Sequence, residues 1–282
     1  MSNTSTILIT GASSGIGNAT AARLADAGHH VYAAARNQTA LKRLADGHRL
    51  TPLTLDITDS QSIASVRERI QAETAGLGPD VVVNAAGIAI LGPVEAVPDA
   101  HLRRQFDTNI FGSLAITRAF LPAMRARRSG RVVNISSVLG RFTLPGTGVY
   151  AATKYALEAI SDALRVELAP FGIDVVLVEP GIVDTAIYQR AEHTAAEYVD
   201  DLVPYAKLFP HGVAFPDRLA RTAVTAEQVA KTVAVAATAR RPKSRYIPGV
   251  RNRLNIRLLT AMPSWTTDRI KTRLMDLRPV VS

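Results

Sequence analysis

Short apolar runs and longer amphipathic segments alternate along most of the chain. Thr6 to Thr10, His30 to Ala35, Leu50 to Leu55, Asp80 to Asn84, Arg131 to Ile135, Ile173 to Glu179 and Ser244 to Pro248 read as strands. Several are continuously apolar, as strands buried on both faces are. Helical spacing follows Gly17 (Ala19, Ala22, Leu24, Ala25) and marks Ser60 to Ala75, Asp99 to Arg128, Tyr150 to Phe171 and Thr225 to Ala239. Pro122 is expected to bend or split the third of these. Strands that alternate with helices predict right-handed crossovers and a parallel sheet. The pattern therefore predicts an α/β fold: a doubly wound, seven-stranded parallel sheet in one domain over 1–282. Between Ala186 and Arg221 the periodicity weakens while Tyr188, Tyr198, Tyr205, Phe209, Phe215 and several prolines appear. That segment, 186–221, reads as a small helical lid over a substrate, with a surface insertion as the competing reading. His193 and His211 within it are expected to be solvated.

Composition changes this picture in two places. No cysteine is present, which excludes disulfides, thiolate nucleophiles and cysteine metal sites; no metal site is expected. The formal charge of +9 is not spread over the chain: residues 240–282 carry eleven Lys/Arg and two Asp/Glu, leaving 22 of each sign elsewhere. The basic extension 250–282 alternates cations with Leu, Ile, Met and Trp265 and is broken by Pro263. A helix pair capping the lid, charges outward, is the preferred reading. Weak peripheral contact with an anionic membrane comes next, and nucleic acid is not the expected partner. Met1 to Ser5 is short and polar, and no run of ~18 apolar residues occurs, so a cytoplasmic location is expected.

Candidate chemistry centres on Tyr150 and Lys154. Four apart on a helix, they share a face, so the ammonium is expected to lower the pKa of a phenol that ordinarily titrates near ~10. Ser137 follows the apolar run ending at Ile135, at a strand's carboxyl end, where open α/β sheets bind ligands. The first strand leads into Gly11-Ala-Ser-Ser-Gly15-Ile-Gly17 and then a helix. Glycines let backbone approach a pyrophosphate, and the helix amino terminus offers unpaired N–H groups. An acid ending the second strand would bind both ribose hydroxyls and repel a 2′-phosphate. Ala35 and Arg36 stand there instead, and a guanidinium suits that phosphate. NADP(H) is therefore expected over NAD(H).

The glycine turn, Asn84-Ala85-Ala86-Gly87, Asn109, Ser137 and Tyr150-x-x-x-Lys154, in that order, resemble the short-chain dehydrogenase/reductase family, closely over residues 5 to 185. The resemblance implies a Rossmann-type fold and hydride transfer between a carbonyl and a secondary alcohol, with Asn109, Ser137, Tyr150 and Lys154 as the catalytic set. Tyr150 would be the acid/base, Ser137 would hold the substrate oxygen, and Asn109 would hold a water in a proton relay to Lys154. It also implies cofactor contacts at Gly11, Ser13, Ser14, Ile16 and Gly17, and at Asp56 and Ile57. Asn84, Ala85 and Gly87 are expected beside the nicotinamide ribose, together with Tyr150 and Lys154. Pro180, Gly181, Val183 and Thr185 are expected at the nicotinamide. Asp56 reads equally as a helix cap, and Asn84 at least equally as structural. The family builds dimer contacts from the helices before and through Tyr150, so a homo-oligomer, dimer or tetramer, is expected. The lid and tail resemble the hydroxysteroid and retinol dehydrogenase branch, implying an apolar substrate. A non-catalytic dinucleotide-binding sensor or scaffold stays open as the alternative, and an epimerase or dehydratase ranks below it.

Overall fold

Residues buried on both sides of a sheet must be apolar on both, and the strands here obey that rule. The computed structural model describes residues 4–198, 205, 221–249, 258–275 and 277. Strands β1 (Thr6–Thr10), β2 (His30–Ala35), β3 (Leu50–Thr54), β4 (Val81–Asn84), β5 (Gly130–Ile135), β6 (Ile173–Val178) and β9 (Arg245–Tyr246) form one sheet in the order β3-β2-β1-β4-β5-β6-β9. Every pairing in it is parallel. The seven expected strands are these seven. Alternate residues face opposite layers. Ile7 and Ile9 pack under helices α1 (Gly15–Asp26), α2 (Gln38–Gly47) and α8 (Ala226–Thr238). Leu8 and Tyr32 pack under α3 (Ser60–Glu73) and α5 (Ser113–Ala126), through Ile70, Ile116 and Phe120.

Strand order reverses between β1 and β4, which opens a crevice at their carboxyl ends. The helix expected over 99–128 is three elements: α4 (Asp99–Phe106), a π-helical turn (Asp107–Gly112) and α5. The change of winding falls at Asn109 rather than at Pro122, and α5 runs unbroken through that proline. Helix α6 (Gly148–Leu168) carries Tyr150 and Lys154. Two short strands escaped the sequence pattern: β7 (Val183–Asp184) pairs with β8 (Val224–Thr225), tying the chain after β6 to the start of α8. Helix α7 (Ala186–Ala196) begins the expected lid. Residues 199–204 and 206–220 of that segment, including Phe209, His211 and Phe215, lie outside the described residues, as does tail segment 250–257. Helix α9 (Ser264–Leu274) is the last described helix. No described helix is long and apolar enough to cross a membrane.

Candidate active site

The glycine turn is shaped by its own packing. Gly11 has φ +70°, and a Cβ there would lie 2.7 Å from the Ala86 backbone; one on Gly17 would lie 2.4 Å from the Gly11 carbonyl oxygen. Both glycines thus let the turn close on itself and against the end of β4, where the Thr10 hydroxyl accepts from the Ala85 and Ala86 N–H groups. Ser14 is the N-cap residue of α1, yet its side chain makes no cap bond, and no acid sits in the first turn. The helix end is left as a set of unfilled donors facing an anion-sized space.

That space is part of a cavity of about 1020 Å³ at the sheet's carboxyl edge. From the turn it is lined by Gly11, Ser13, Ser14, Ile16 and Gly17, and from the β2 and β3 ends by Arg36, Asp56 and Ile57. Ala85 and Gly87 line it after β4, and Pro180, Gly181, Val183 and Thr185 after β6. Ser137, Tyr150 and Lys154 stand at the same cavity. The residues fit a dinucleotide: donors at one end, a cation at the rim, apolar walls and hydroxyls at the other end.

Asn84 and Asn109 do not line the cavity. The Asn84 amide donates to Thr117 Oγ1 (3.0 Å) and Asn134 Oδ1 (2.8 Å), and Asn134 donates on to Ser161. It staples β4 to β5, α5 and α6, which is the structural reading of Asn84. Asn109 accepts from the Ile88 N–H and donates to the Ile88 carbonyl and Thr153 Oγ1. The π turn, a local winding frequent at functional sites, carries Asn109; its side chain and the Lys154 ammonium approach Gly87 together. Asp56 is not the cap of α3, a role taken by Asp59. Burial works to raise the Asp56 carboxyl, but bonds from the Thr58 N–H and hydroxyl, with Arg36 nearby, hold it below the usual range.

Lys154 Nζ donates to the Ile135 carbonyl (3.0 Å) and lies 5.7 Å from the Tyr150 ring centroid. Burial pushes this ammonium down to about 8, with Glu158 pulling it back up. The expected acidification of Tyr150 is not what the pair alone produces. Burial pushes the phenol up, Tyr188 adds to that, and only a hydrogen bond with Ser137 opposes it. Desolvation outweighs the neighbouring charge. Around Tyr150 the wall is apolar: Leu139, Phe142, Leu144, Ala191 and Ile247, joined by Met275 and Leu277. Lys271 of α9 lies 5.3 Å from the Phe142 ring centroid. The described end of the basic extension therefore packs on the loop that carries Leu139, Phe142 and Leu144.

Beneath the site lies a cluster that the sequence did not reveal. Glu158 and Glu179 are buried, and Arg245 Nε reaches both, at 3.2 and 3.1 Å, while its Nη2 meets Asp162 at 2.7 Å. Arg141 reaches Glu179 at 3.6 Å. Burial and then the Glu158 charge push Glu179 from 4.5 up to about 7, against the pull of the two arginines. The folded protein thus holds this proton more tightly than the unfolded chain. The resulting stability is fully present below about pH 4.5 and is lost as pH rises through about 7. Glu179→Gln cannot ionise, so its melting temperature is expected to gain on wild type between pH 5 and 8, roughly that window. Thermal melts in parallel buffers check this, and parallel profiles would contradict it.

From the expected lid, Tyr188 and His193 line the cavity; Arg190 and Thr194 on α7 and Arg103 and Arg104 on α4, which the sequence did not single out, line it too. His193 is exposed at the cavity's rim. Helix α7 is held down beyond its end, where the Tyr198 hydroxyl donates to the Leu91 carbonyl at 2.6 Å and His101 meets Glu197 at 3.5 Å.

Residues 5–196 match the model of the short chain dehydrogenase family. The chain is similar to an NADPH-dependent 3-dehydrocapnine reductase of Ornithobacterium rhinotracheale, 32% identical and covering 93% of this chain and 94% of that protein. It is similar to human 17-beta-hydroxysteroid dehydrogenase type 1, 36% identical over 85% of this chain and 76% of the relative. A crystal structure of a short-chain dehydrogenase from Streptomyces avermitilis superposes with a TM-score of 0.76 at 32% identity, covering 98% of this chain and 97% of that one.

Proposed function

Because the chain belongs to the short chain dehydrogenase family, we propose that it is an NADP(H)-dependent oxidoreductase interconverting a carbonyl and a secondary alcohol on an apolar small molecule. The observation that carries this reading is the convergence of Ser137, Tyr150 and Lys154 on the cavity that also receives the glycine turn. The nicotinamide, when bound, supplies or accepts the hydride. Ser137 Oγ holds the substrate oxygen and supports its developing charge. Tyr150 gives that oxygen its proton in reduction and takes it back in oxidation. Lys154 binds at the nicotinamide ribose, and its positive charge favours the ionised phenol when substrate and ribose hydroxyls share the buried space. Asn109 fixes Ile88 and Thr153, and the π turn beside it leads the proton path toward solvent. The apolar wall around Tyr150 and the relatedness to a hydroxysteroid dehydrogenase support an apolar substrate.

Arg36 supports the choice of NADP(H), as does the NADPH-dependent relative. Its side chain is 70% exposed and pairs with Asp56 only at 3.9 Å, a contact worth little. The guanidinium can therefore turn to a 2′-phosphate. Arg36→Ala is expected to weaken NADPH binding about tenfold while NADH binding stays within about threefold. Fluorescence titration of both nucleotides checks it, and an unchanged ratio would reject the assignment.

A cytoplasmic homo-oligomer is part of the same proposal. Phe111 on the π turn and Tyr155 and Val166 on α6 leave large apolar side chains exposed, as an α5–α6 contact between copies would need. Following NADPH consumption against a panel of ketones, aldehydes and quinones tests the activity. Tight nucleotide binding with no turnover across the panel would favour the sensor reading instead.

A further inference from the structure

Arg190 projects from α7 toward the glycine turn. Its Nη2 lies 3.4 Å from Ser14 Oγ, and its Nε donates to the Ala186 carbonyl at 3.2 Å. The first bond is at the long limit for a hydrogen bond and joins a charge to a neutral hydroxyl. Among the described residues no carboxylate lies within ion-pair distance of this guanidinium, which is exposed at the cavity it lines. Ser14 itself leaves its cap position unfilled, and no acid lies in the first turn of α1. The apposition of the two elements is close. A Cβ on Gly15 would lie 3.3 Å from Thr185 Cγ2, one residue before α7 begins.

We propose that Arg190 is a pyrophosphate-binding residue, a cation delivered by the lid helix to the phosphates held at the glycine turn. This rests on the dinucleotide reading above and adds a second phosphate contact, separate from Arg36. The Ser14 hydroxyl holds the guanidinium by one long bond to a neutral acceptor. A phosphate oxygen in the same space replaces it with a shorter bond between opposite charges. Because Arg190 sits on α7 and Ser14 on the glycine turn, the bound anion joins the substrate-side helix to the nucleotide-side turn. Cofactor binding is thereby tied to the position of Tyr188 and Ala191, which pack in the apolar wall beside Tyr150.

The two phosphate contacts can be separated with fragments. NADPH and adenosine 2′-monophosphate, which has no 5′-phosphate, are titrated by calorimetry into wild type, Arg190→Ala, Arg190→Lys and the exposed-surface control Arg125→Ala. Arg190→Ala is expected to bind NADPH about tenfold more weakly at low salt, with Arg190→Lys recovering part of the loss and the control matching wild type. The affinity for adenosine 2′-monophosphate is expected to be equal in all four. Equal NADPH affinity in wild type and Arg190→Ala overturns the assignment, and so does an equal loss for the 2′-monophosphate, which would mark a general disturbance of the cavity. A wild type that takes up neither NADPH nor NADH would instead remove the dinucleotide reading itself and this inference with it.

Discussion

Tyr150→Phe is expected to lower kcat by about a hundred- to ten-thousand-fold, the usual worth of a positioned general acid or base, with NADPH affinity within about twofold of wild type. The substitution deletes one oxygen and leaves the ring, which packs against Leu139, Phe142 and Ala151 in the apolar wall. No backbone bond depends on the hydroxyl, so folding is preserved. Burial and Tyr188 raise the phenol in the free protein, so it holds its proton at neutral pH. A phenol held neutral keeps its proton for delivery to a nascent alkoxide. Lys154 donates to Ile135 and Ser137 accepts from the Leu139 N–H. Turnover close to wild type in this variant would end the proposed chemistry, whatever the substrate.

The second large effect falls on stability. Arg245→Met is expected to cost about 3–5 kcal/mol, the range found when one partner of a buried ion pair is removed. Arg245 is shared by Glu158, Glu179 and Asp162, and its loss leaves two buried carboxylates facing each other with Arg141 as the remaining cation. Methionine fills much of the stem's volume, so the loss reports charge rather than packing. The cost is expected to shrink toward pH 5, because burial already pushes both glutamates upward and protonation relieves their repulsion. Urea unfolding at the two ends of this range gives the measurement. An unchanged midpoint at pH 8 would show that the cluster contributes no net stability. Glu158 also pulls the Lys154 ammonium upward, so the same variant perturbs the base of the active site from below.

The strands were legible because burial on two faces leaves a run of Val, Ile, Leu and Ala, as in Val81–Val83 of β4 and Val175–Val178 of β6. The cavity-lining residues were legible for a related reason: they sit where strands end. What escaped depended on contacts between distant segments. A π turn differs from an α turn by one hydrogen-bond step, which no periodicity of side chains over six residues can display. Strands β7 and β8 are two residues each and exist because Val183 happens to meet Val224. Arg190 reads as one more lid cation until α7 is seen against Ser14. Glu179 did leave a trace, an acid between Val178 and Pro180 at the carboxyl end of the strand, where the run before it is apolar from Val175. Glu158 left none, since a glutamate in a helix ordinarily faces solvent. The direction of the Tyr150 shift was misjudged because a neighbour four residues away is visible in sequence, whereas the depth of the surrounding protein is not.

The winding change at Asp107–Gly112 also governs what length variation the chain can tolerate. One residue gained or lost there turns everything on its amino-terminal side by about 100° about the helix axis. Arg103 and Arg104 would then swing off the cavity rim while Ile116 and Phe120 stayed in the core. The spacing between Arg104 and Ser113 is consequently a phase setting, which an insertion or deletion in that interval would break.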